Sequence, residues 1–489
     1  MPADLSRVAA VRARITSAIG LSSASNSEHQ IPGLQYMNTL SSPRERTSFD
    51  IASLLDHGSW TALQKRALIL ISLVGVVDGV DAQVLSLSLP MITKDWGVAR
   101  ADFAVLMALS FIAMAVGTAL GGLAGDRLGR KPTLIFATAV FGAFTFAGAF
   151  SDSILSLGIL RGIASLGLGA AMPNAATLVA ESTPLKQRNL ALGICMSALP
   201  VGGILLGFLG AYLLPAHGWQ TLFMVAGGLP LLLAVVLTVW LPESLRYRFR
   251  AEGHTTRVTR LAARMGASLS ADMTVIDTGE EGPRKHAPLR MIFAGEFARD
   301  TYLLCIAFFF VVLSTYLVYT WFPSLFSDLG FSPKSIGTSL SCFSAGGLVG
   351  GILGARLVQR VGSRIALVAM SVGGSACAVL ILLLAQAPGV DTTVPILAAL
   401  FFAGVLIPGT QAAIYVLAGQ IYPTPIRATG VGLSAGVGRL GAVTSAFIGP
   451  LLLASHGAAF FVALAVAMLI VAGALLAVRH RINRRAAAL

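Results

Sequence analysis

Charged residues and cysteines are scarce in this chain of 489 residues. Only 12% of the residues are charged, whereas soluble domains average roughly 25%. Hydrophobic residues make up 55% of the chain, and its mean hydropathy is +0.79. A soluble core cannot enclose that much apolar surface. The composition therefore excludes an ordinary water-soluble protein and indicates a membrane protein.

The cysteines lie inside apolar segments and show no metal-ligand spacing; they are Cys195, Cys305, Cys342 and Cys377. We interpret them as small core residues rather than as disulfides or metal ligands. The sequence also contains no nucleophile and base in a catalytic pattern. It therefore predicts neither an enzyme nor a bound metal or cofactor.

Twelve apolar segments are each long enough to cross a bilayer, which takes about 20 residues. They cover residues 67–90, 103–124, 133–150, 153–180, 189–214, 219–241, 300–321, 335–357, 364–386, 393–420, 428–453 and 457–478. We number them spans 1 to 12. The sequence thus predicts an all-α membrane protein with twelve transmembrane helices in two six-helix pseudo-symmetric halves.

The net charge of +13 would suit nucleic acid, but the basic residues lie in the loops. If the N-terminus is cytoplasmic, the outer loops hold only Lys94, Arg100 and Lys334. The inner loops and the tail hold the arginines of 242–299 together with Arg127, Arg130, Lys131, Lys186, Arg188, Arg356, Arg360, Arg364, Arg427, Arg479, Arg481, Arg484 and Arg485. By the positive-inside rule both termini are cytoplasmic, and no nucleic-acid partner is needed to explain the charge.

The apolar segments divide the chain into five parts: an N-terminal extension (1–59), a first six-helix bundle (60–241), a central cytoplasmic loop (242–298), a second bundle (299–478) and a basic tail (479–489). The extension is polar and rich in serine. It is interpreted as a targeting segment or as a disordered extension, and the further alternative is a chain that starts at Met37. In the central loop, Thr255–Gly266 predicts an amphipathic helix on the inner membrane surface.

The two halves repeat each other in their loops. After span 2 the run DRLGRK occupies 126–131, and after span 8 the run QRVGSR occupies 359–364. A second repeat follows spans 4 and 10, where Glu181 and Gln420 begin stretches with the same spacing of proline, arginine and glycine. In both repeats an acid of the first half becomes glutamine in the second.

The run GDRLGRK at 125–131 resembles the signature loop of the major facilitator superfamily, and PES at 242–244 resembles another motif of that family. More narrowly, the chain resembles the aromatic acid:proton symporters in DGVD at 78–81, RG at 161–162, GLGAAMPN at 167–174, YPTPIR at 422–427 and GRLG at 438–441. The resemblance implies a monomeric carrier that takes up benzoate-like or hydroxybenzoate-like acids with protons through the bacterial inner membrane.

Four charged residues lie well inside the predicted spans, with no buried acid expected in the spans of the second half: Asp78 and Asp81 in span 1, Arg161 in span 4 and Arg439 in span 11. A charge at the bilayer centre costs roughly 2.5–3.5 kcal/mol, so each is a functional candidate. A rise of 1.5 Å per residue puts Asp81 and Arg161 at one level, about 13 Å from the outer side. Asp78 and Arg439 lie nearer the midplane, about 18 Å from the inner side.

Competition for arginine would couple the anion to protons. A carboxylate substrate that takes a guanidinium frees an aspartate, which then binds a proton. We predict that Asp78, Asp81 and Arg161 couple protons and that Arg439 binds the substrate carboxylate. The alternative is that these residues form ion bridges that only hold helices together.

The ring of the substrate needs aromatic faces and hydrogen bonds. We predict that these come from five further residues, each of which can otherwise be ordinary packing: Asn174, Tyr316, Tyr319, Gln411 and Tyr415. Trp321, near the outer end of span 7, is predicted to anchor the helix at the membrane interface.

The signature loop is predicted to latch the inner gate in the outward-facing state, through Asp126, Arg127, Arg130 and Glu181. The alternative is that its basic residues only set topology.

Three rival functions remain. A proton-driven exporter of hydrophobic drugs would not need Arg161 and Arg439, a sugar porter would want more amide and indole groups, and a membrane sensor of aromatic acids would want a sizeable signalling domain.

Overall fold

In the computed structural model, the described residues are 48–51, 60–253, 255–265, 274–276, 292–293, 297–386, 392–454 and 457–480. All of them belong to one compact unit, residues 48–489. The predictions for residues 1–47, including the alternative start at Met37, and for the tail beyond residue 480 lie outside this part of the chain.

Eleven helices in the described part of the chain are long and apolar enough to cross a membrane. One of them, Leu185–Trp240, has 56 residues and is broken at Gly218, where φ is 78° and ψ is 177°. Its two arms are spans 5 and 6, which brings the number of spans to the predicted twelve. The others are Ala62–Trp96, Phe103–Leu128, Arg130–Gly148, Ile154–Ser182, Phe297–Asp328, Pro333–Val361, Ser363–Ala385, Thr393–Ile421, Thr424–Leu453 and Ala458–Ala477.

Several spans extend beyond their apolar segments because capping, rather than hydropathy, determines where a helix ends. Span 1 begins at Ala62 instead of residue 67. The Thr61 hydroxyl accepts a hydrogen bond from the Gln64 N–H at 3.4 Å, and the Gln64 side chain accepts one from the Thr61 N–H at 2.8 Å. This reciprocal cap satisfies N–H groups that the first turn leaves free.

The two halves use the same close helix packing at matching places. In the first half, a Cβ atom added to Gly117 of span 2 would lie 2.1 Å from the carbonyl oxygen of Leu166 in span 4. In the second half, a Cβ atom added to Gly350 of span 8 would lie 2.1 Å from the carbonyl oxygen of Val405 in span 10. Small residues let the helices approach this closely in lipid, and the correspondence reflects the pseudo-symmetry.

The loops after spans 2 and 8 turn at glycines with nearly the same backbone conformation. Gly129 has φ 106° and ψ 152°, and Gly362 has φ 91° and ψ 154°. Other residues are strained at such positive φ values. The sequence repeat of the two loops is therefore also a repeat of backbone geometry.

Contacts between the halves run along spans 1 and 7, 2 and 11, and 5 and 8. We call the side on which span 1 begins and span 12 ends the terminal face. On the opposite face, Arg100, just before span 2, forms a two-pronged ion pair with Asp328, the last residue of span 7. Deeper in the bundle, the Ser341 hydroxyl donates to the Ile204 carbonyl at 2.9 Å. The halves are thus joined on the side away from the terminal face.

The predicted amphipathic helix of the central loop exists as Thr256–Arg264. Its placement on the membrane surface is wrong, because its apolar face packs against other parts of the chain. Val258 and Ala262 are fully buried, in a cluster with Ile51 and with Leu245 of the short preceding helix, Leu245–Glu252. Strand β1 (Ser48–Asp50) also pairs in parallel with strand β2 (Thr274–Ile276).

Candidate functional site

Asp81 and Arg161 form a buried ion pair between spans 1 and 4. Asp81 is 0% exposed and Arg161 is 5% exposed. The Nη1 atom of Arg161 lies 3.1 Å from each carboxylate oxygen of Asp81. Thr145 of span 3 donates to the same carboxylate and accepts from Arg161 at 3.2 Å. The common depth predicted for the two charges agrees with this contact, whereas the part played by Thr145 was not predicted.

Asp78 is equally buried but has a different environment. Its side chain is 1% exposed, and neither carboxylate oxygen has a hydrogen-bond partner in the described part of the chain. Asp78 is nevertheless within electrostatic range of Asp81 and of Arg439. An ionised carboxylate without hydrogen bonds is costly in such a place, whereas a neutral one costs much less. The surroundings of the two aspartates of span 1 therefore differ in how well they stabilise a negative charge.

Arg439 of span 11 lies at the centre of the predicted substrate residues. It is exposed although it is at mid-membrane depth, and it is within electrostatic range of Asp78, Tyr316 and Tyr415. Tyr415 is 42% exposed. We call the space beside these four residues the central cleft. The structure thus brings together, at one place between the halves, a buried carboxyl group, an exposed guanidinium group and two phenol rings.

Aromatic contacts hold the two tyrosines of the cleft in position. Tyr316 meets Phe111 of span 2 edge to face, with ring centroids 4.9 Å apart. Tyr415 meets Phe308 in the same way at 4.8 Å. Such pairs contribute roughly 0.5–1.5 kcal/mol beyond their buried area. The rings therefore offer defined faces to a flat ligand.

The remaining ring-binding candidates, Tyr319 and Gln411, each lie one helical turn away from a tyrosine of the cleft on the same helix. Tyr319 follows Tyr316 in span 7, and its ring meets Phe343 of span 8 at 5.0 Å. Gln411 is half-buried one turn before Tyr415 in span 10, on the same helix face. Their roles as substrate ligands stay predictions.

Two predicted positions have structural contacts that the sequence did not indicate. Asn174 is 1% exposed and donates to the carbonyl oxygens of Gly121 and Ala170 at 2.8 and 2.9 Å. It holds spans 2 and 4 together in this conformation, and its role as a substrate ligand stays a prediction. Trp321 is fully buried, and its Nε1 donates to the Ser445 carbonyl at 3.0 Å. It ties span 7 to span 11 instead of lying at the membrane interface.

The predicted gate residues meet at the terminal face, where spans 2, 3 and 4 end or begin. Arg130 lies 2.5 Å from Asp126 and 3.8 Å from Glu181. The carbonyl oxygen of Arg127 accepts a hydrogen bond from Tyr247 at 3.0 Å. These contacts lie within the first half and the adjoining start of the central loop. In the described part of the chain, the cluster therefore braces one half in this conformation, and its role as a latch stays a prediction.

Glu243 belongs to this cluster but was given no role from the sequence. Its Oε1 atom accepts hydrogen bonds from the backbone N–H groups of Lys131 at 3.1 Å and Ser244 at 2.9 Å. Burial raises the pKa of the Glu243 carboxyl, against these hydrogen bonds and the charge of Arg248. The sequence feature that could have indicated this role is the acid of the PES motif, which directly follows an apolar segment. A carboxylate at such a place can cap the first turn of a neighbouring helix.

Asp300 is a second acid that the sequence did not single out. The expectation that the second half has no buried acid in its spans is wrong, because Asp300 is 0% exposed in the first turn of span 7. It accepts hydrogen bonds at 2.9 Å from the backbone N–H groups of Arg479 and His480. The His480 ring lies 2.8 Å from the same carboxylate. Asp300 thus fastens the end of span 12 to the start of span 7.

Comparison with known proteins identifies the family. The sequence profile of the Major Facilitator Superfamily matches residues 71–300 and 304–488. The 4-hydroxybenzoate transporter PcaK of Acinetobacter baylyi is 31% identical over 417 residues, which cover 84% of this chain and 90% of that protein. The gallate transporter of Pseudomonas putida is 33% identical over 401 residues, which cover 82% of this chain and 88% of that protein.

The fold agrees with this relationship. The partially occluded inward-open structure of the xylose transporter XylE from E. coli matches with a TM-score of 0.62 at 15% sequence identity, covering 84% of this chain and 97% of that one. The predicted all-α fold with twelve spans in two halves is confirmed. The protein is a multi-pass membrane transporter rather than an enzyme, and the chain belongs to the major facilitator superfamily.

Proposed function

We propose that this transporter imports a small aromatic carboxylate of the benzoate or hydroxybenzoate type together with protons, by alternating access across the bacterial inner membrane. The observation that carries the proposal is the central cleft, where Arg439 lies within electrostatic range of the buried Asp78 and of two tyrosines. Relatives named as 4-hydroxybenzoate and gallate transporters support the aromatic acid as substrate.

The cleft suits the two ends of such a molecule. The guanidinium of Arg439 is planar and matches a carboxylate with two parallel hydrogen bonds, which an ammonium cannot do. Tyr316 and Tyr415 supply ring faces beside it. A transporter built from two moving halves holds its substrate near the membrane midplane, and Arg439 is at that depth.

Coupling to protons follows from the difference between the two aspartates. Asp81 keeps its charge through Arg161 and Thr145. In the part of the chain that the structure describes, Asp78 has no hydrogen bond, and the field of Arg439 is what favours its charged form. When a substrate carboxylate neutralises Arg439, that support is lost and Asp78 binds a proton. Anion and proton therefore load together, and when the substrate leaves, the restored field of Arg439 makes it easier for Asp78 to release its proton.

The orientation rests on the distribution of basic residues, which makes the terminal face cytoplasmic. The halves are joined by Arg100 and Asp328 on the opposite face. With the terminal face cytoplasmic, this conformation is closed toward the outside. Substrate would leave from it into the cytoplasm.

Uptake into membrane vesicles tests the proposal directly. Right-side-out vesicles with an acidic outside should accumulate labelled benzoate or 4-hydroxybenzoate above the external concentration, and a protonophore should abolish the accumulation. Binding without accumulation would favour a sensor. Loss of a preloaded hydrophobic dye on acidification of the outside, without uptake of the acids, would favour an exporter.

The gate gives a separate prediction. Asp126→Asn removes the acid that Arg130 contacts at 2.5 Å. In the proposed latch this acid helps to close the terminal face in the outward-facing state, so the variant should shift the resting population toward inward-facing. An exposed ion pair contributes about 0.2–1 kcal/mol, so the shift should be up to about fivefold. The measurement is the rate at which a membrane-impermeant maleimide, added to inside-out vesicles, labels the variant Lys186→Cys, with and without Asp126→Asn.

The second half offers a matched control for this experiment. Gln359 occupies the position equivalent to Asp126 and is already neutral. Gln359→Asn should therefore leave the labelling rate unchanged. If Asp126→Asn also leaves it unchanged, the loop only sets topology.

A further inference from the structure

Two buried polar side chains from opposite halves converge beside Gly203 of span 5. Gln83 of span 1 is 3% exposed, and Ser344 of span 8 is 0% exposed. A Cβ atom added to Gly203 would lie 2.5 Å from the Gln83 Nε2 atom and 2.6 Å from the Ser344 Oγ atom. The two side chains therefore meet at one place in the seam between the halves, packed so closely against the Gly203 backbone that a side chain at position 203 would collide with both.

These side chains have unused hydrogen-bonding capacity. Among the described residues, the Oε1 atom of Gln83 has no hydrogen-bond partner, and the Ser344 hydroxyl forms no well-aligned hydrogen bond. Leaving such groups unpaired in a buried place costs free energy. Ser341, one turn earlier in span 8, faces the same seam and does find a partner, the Ile204 carbonyl at 2.9 Å. A serine in this seam can thus find a hydrogen-bond partner, whereas in the described part of the chain Gln83 Oε1 and the Ser344 hydroxyl do not.

A line of contacts connects this pair with the central cleft. The Ser344 hydroxyl lies beside the hydroxyl of Tyr319. Tyr319 is one turn from Tyr316, about 4.5 Å along the helix axis, and Tyr316 is within range of Arg439. A cation at one end and neutral hydrogen-bonding groups at the other suit a flat molecule with a carboxylate at one end and a hydroxyl at the opposite end.

We propose that Gln83 and Ser344 bind the ring hydroxyl of a 4-hydroxylated benzoate and thereby select it over benzoate. Gln83 Oε1 accepts the phenolic hydrogen, and the Ser344 hydroxyl donates to the phenolic oxygen. This inference rests on the proposed function and names the substrate class of that same site. A site with buried polar groups aimed at a hydroxyl discriminates strongly against the analogue that lacks it, because those groups then stay unpaired.

Equilibrium binding to the purified full-length protein tests the proposal. The dissociation constants of 4-hydroxybenzoate, 2-hydroxybenzoate and benzoate are measured for the wild type and for the variants Gln83→Leu and Ser344→Ala. Each variant should bind 4-hydroxybenzoate about tenfold more weakly, as expected when a buried hydrogen bond is lost. Affinity for benzoate should change by less than about twofold on the same scale. Affinity for 2-hydroxybenzoate should follow benzoate, because its hydroxyl lies beside the carboxylate.

Ser341→Ala is the matched control, since Ser341 lies in the same seam with its hydrogen bond already made. It should change the affinities for the three acids by the same factor. The proposal is overturned if Gln83→Leu and Ser344→Ala weaken 4-hydroxybenzoate and benzoate equally, which marks packing residues, or if 4-hydroxybenzoate binds as before. If the wild type binds none of the acids, the proposed function itself fails, which is a distinguishable result.

Discussion

Asp78→Asn should abolish the accumulation of the acid that a pH gradient drives, while the protein stays folded in the membrane. Asparagine has nearly the same shape, and Asp78 makes no hydrogen bond to the described residues that the change would break. The variant cannot exchange a proton at this position. With one proton per anion, a gradient of one pH unit supports about tenfold accumulation, and the variant should reach a ratio of about one. Exchange of internal for external acid should persist.

Asp81, one turn away, is the contrasting position. Asp81→Asn leaves Arg161 buried beside a neutral side chain. Breaking a buried ion pair from one side costs about 3–5 kcal/mol, so this variant should lose folded protein, measured as a lower thermal unfolding midpoint. Normal gradient-driven accumulation in Asp78→Asn would instead show that the coupling proton is carried elsewhere.

Arg439→Lys should raise the apparent KM for the acid by about tenfold to a hundredfold. Lysine keeps the charge but loses the planar pair of donors, and hydrogen bonds to a charged group contribute about 1.5–3 kcal/mol. Arg161→Lys should mainly disturb coupling, because Arg161 is committed to Asp81 at 3.1 Å. The KM of each variant is measured in the vesicle assay.

A neutral amide analogue separates anion binding from packing. Its ability to inhibit uptake should change little in Arg439→Lys, because the lost interaction is specific to a carboxylate. If acid and amide weaken by the same factor, Arg439 is a packing residue. The carboxylate anchor would then have to be sought at Arg161.

The charged part of the site could be predicted because charges are conspicuous in an apolar helix. Asp81 and Arg161 were matched by counting residues from the helix ends, and their contact agrees with that count. Depth does not fix how a helix is rotated about its axis, and for that reason Asn174 was placed in the substrate site although it faces span 2. Thr145 and Gln83 could not be singled out, since neutral polar residues cost little in a span and are common there.

Two further features could not be predicted from the sequence: what covers the apolar face of a helix, and which residues are buried at the ends of the spans. An apolar stripe along Thr256–Arg264 predicts a helix but does not say what covers the stripe, and here it is protein. Glu243 and Asp300 lie where a span meets a loop, so hydropathy gives no clue to their burial. Both are held by backbone N–H groups of other segments, which only the fold brings near.

The matching corners at Gly129 and Gly362 are the pattern that duplication of an ancestral six-helix unit would leave. The backbone shape has persisted in both copies, because a residue with a side chain is strained there. The charge next to it has not persisted, since Asp126 has Gln359 as its counterpart. The two loops thus share one backbone turn but carry different charges, so the proposed latch at the terminal face would act from the first half of the molecule alone.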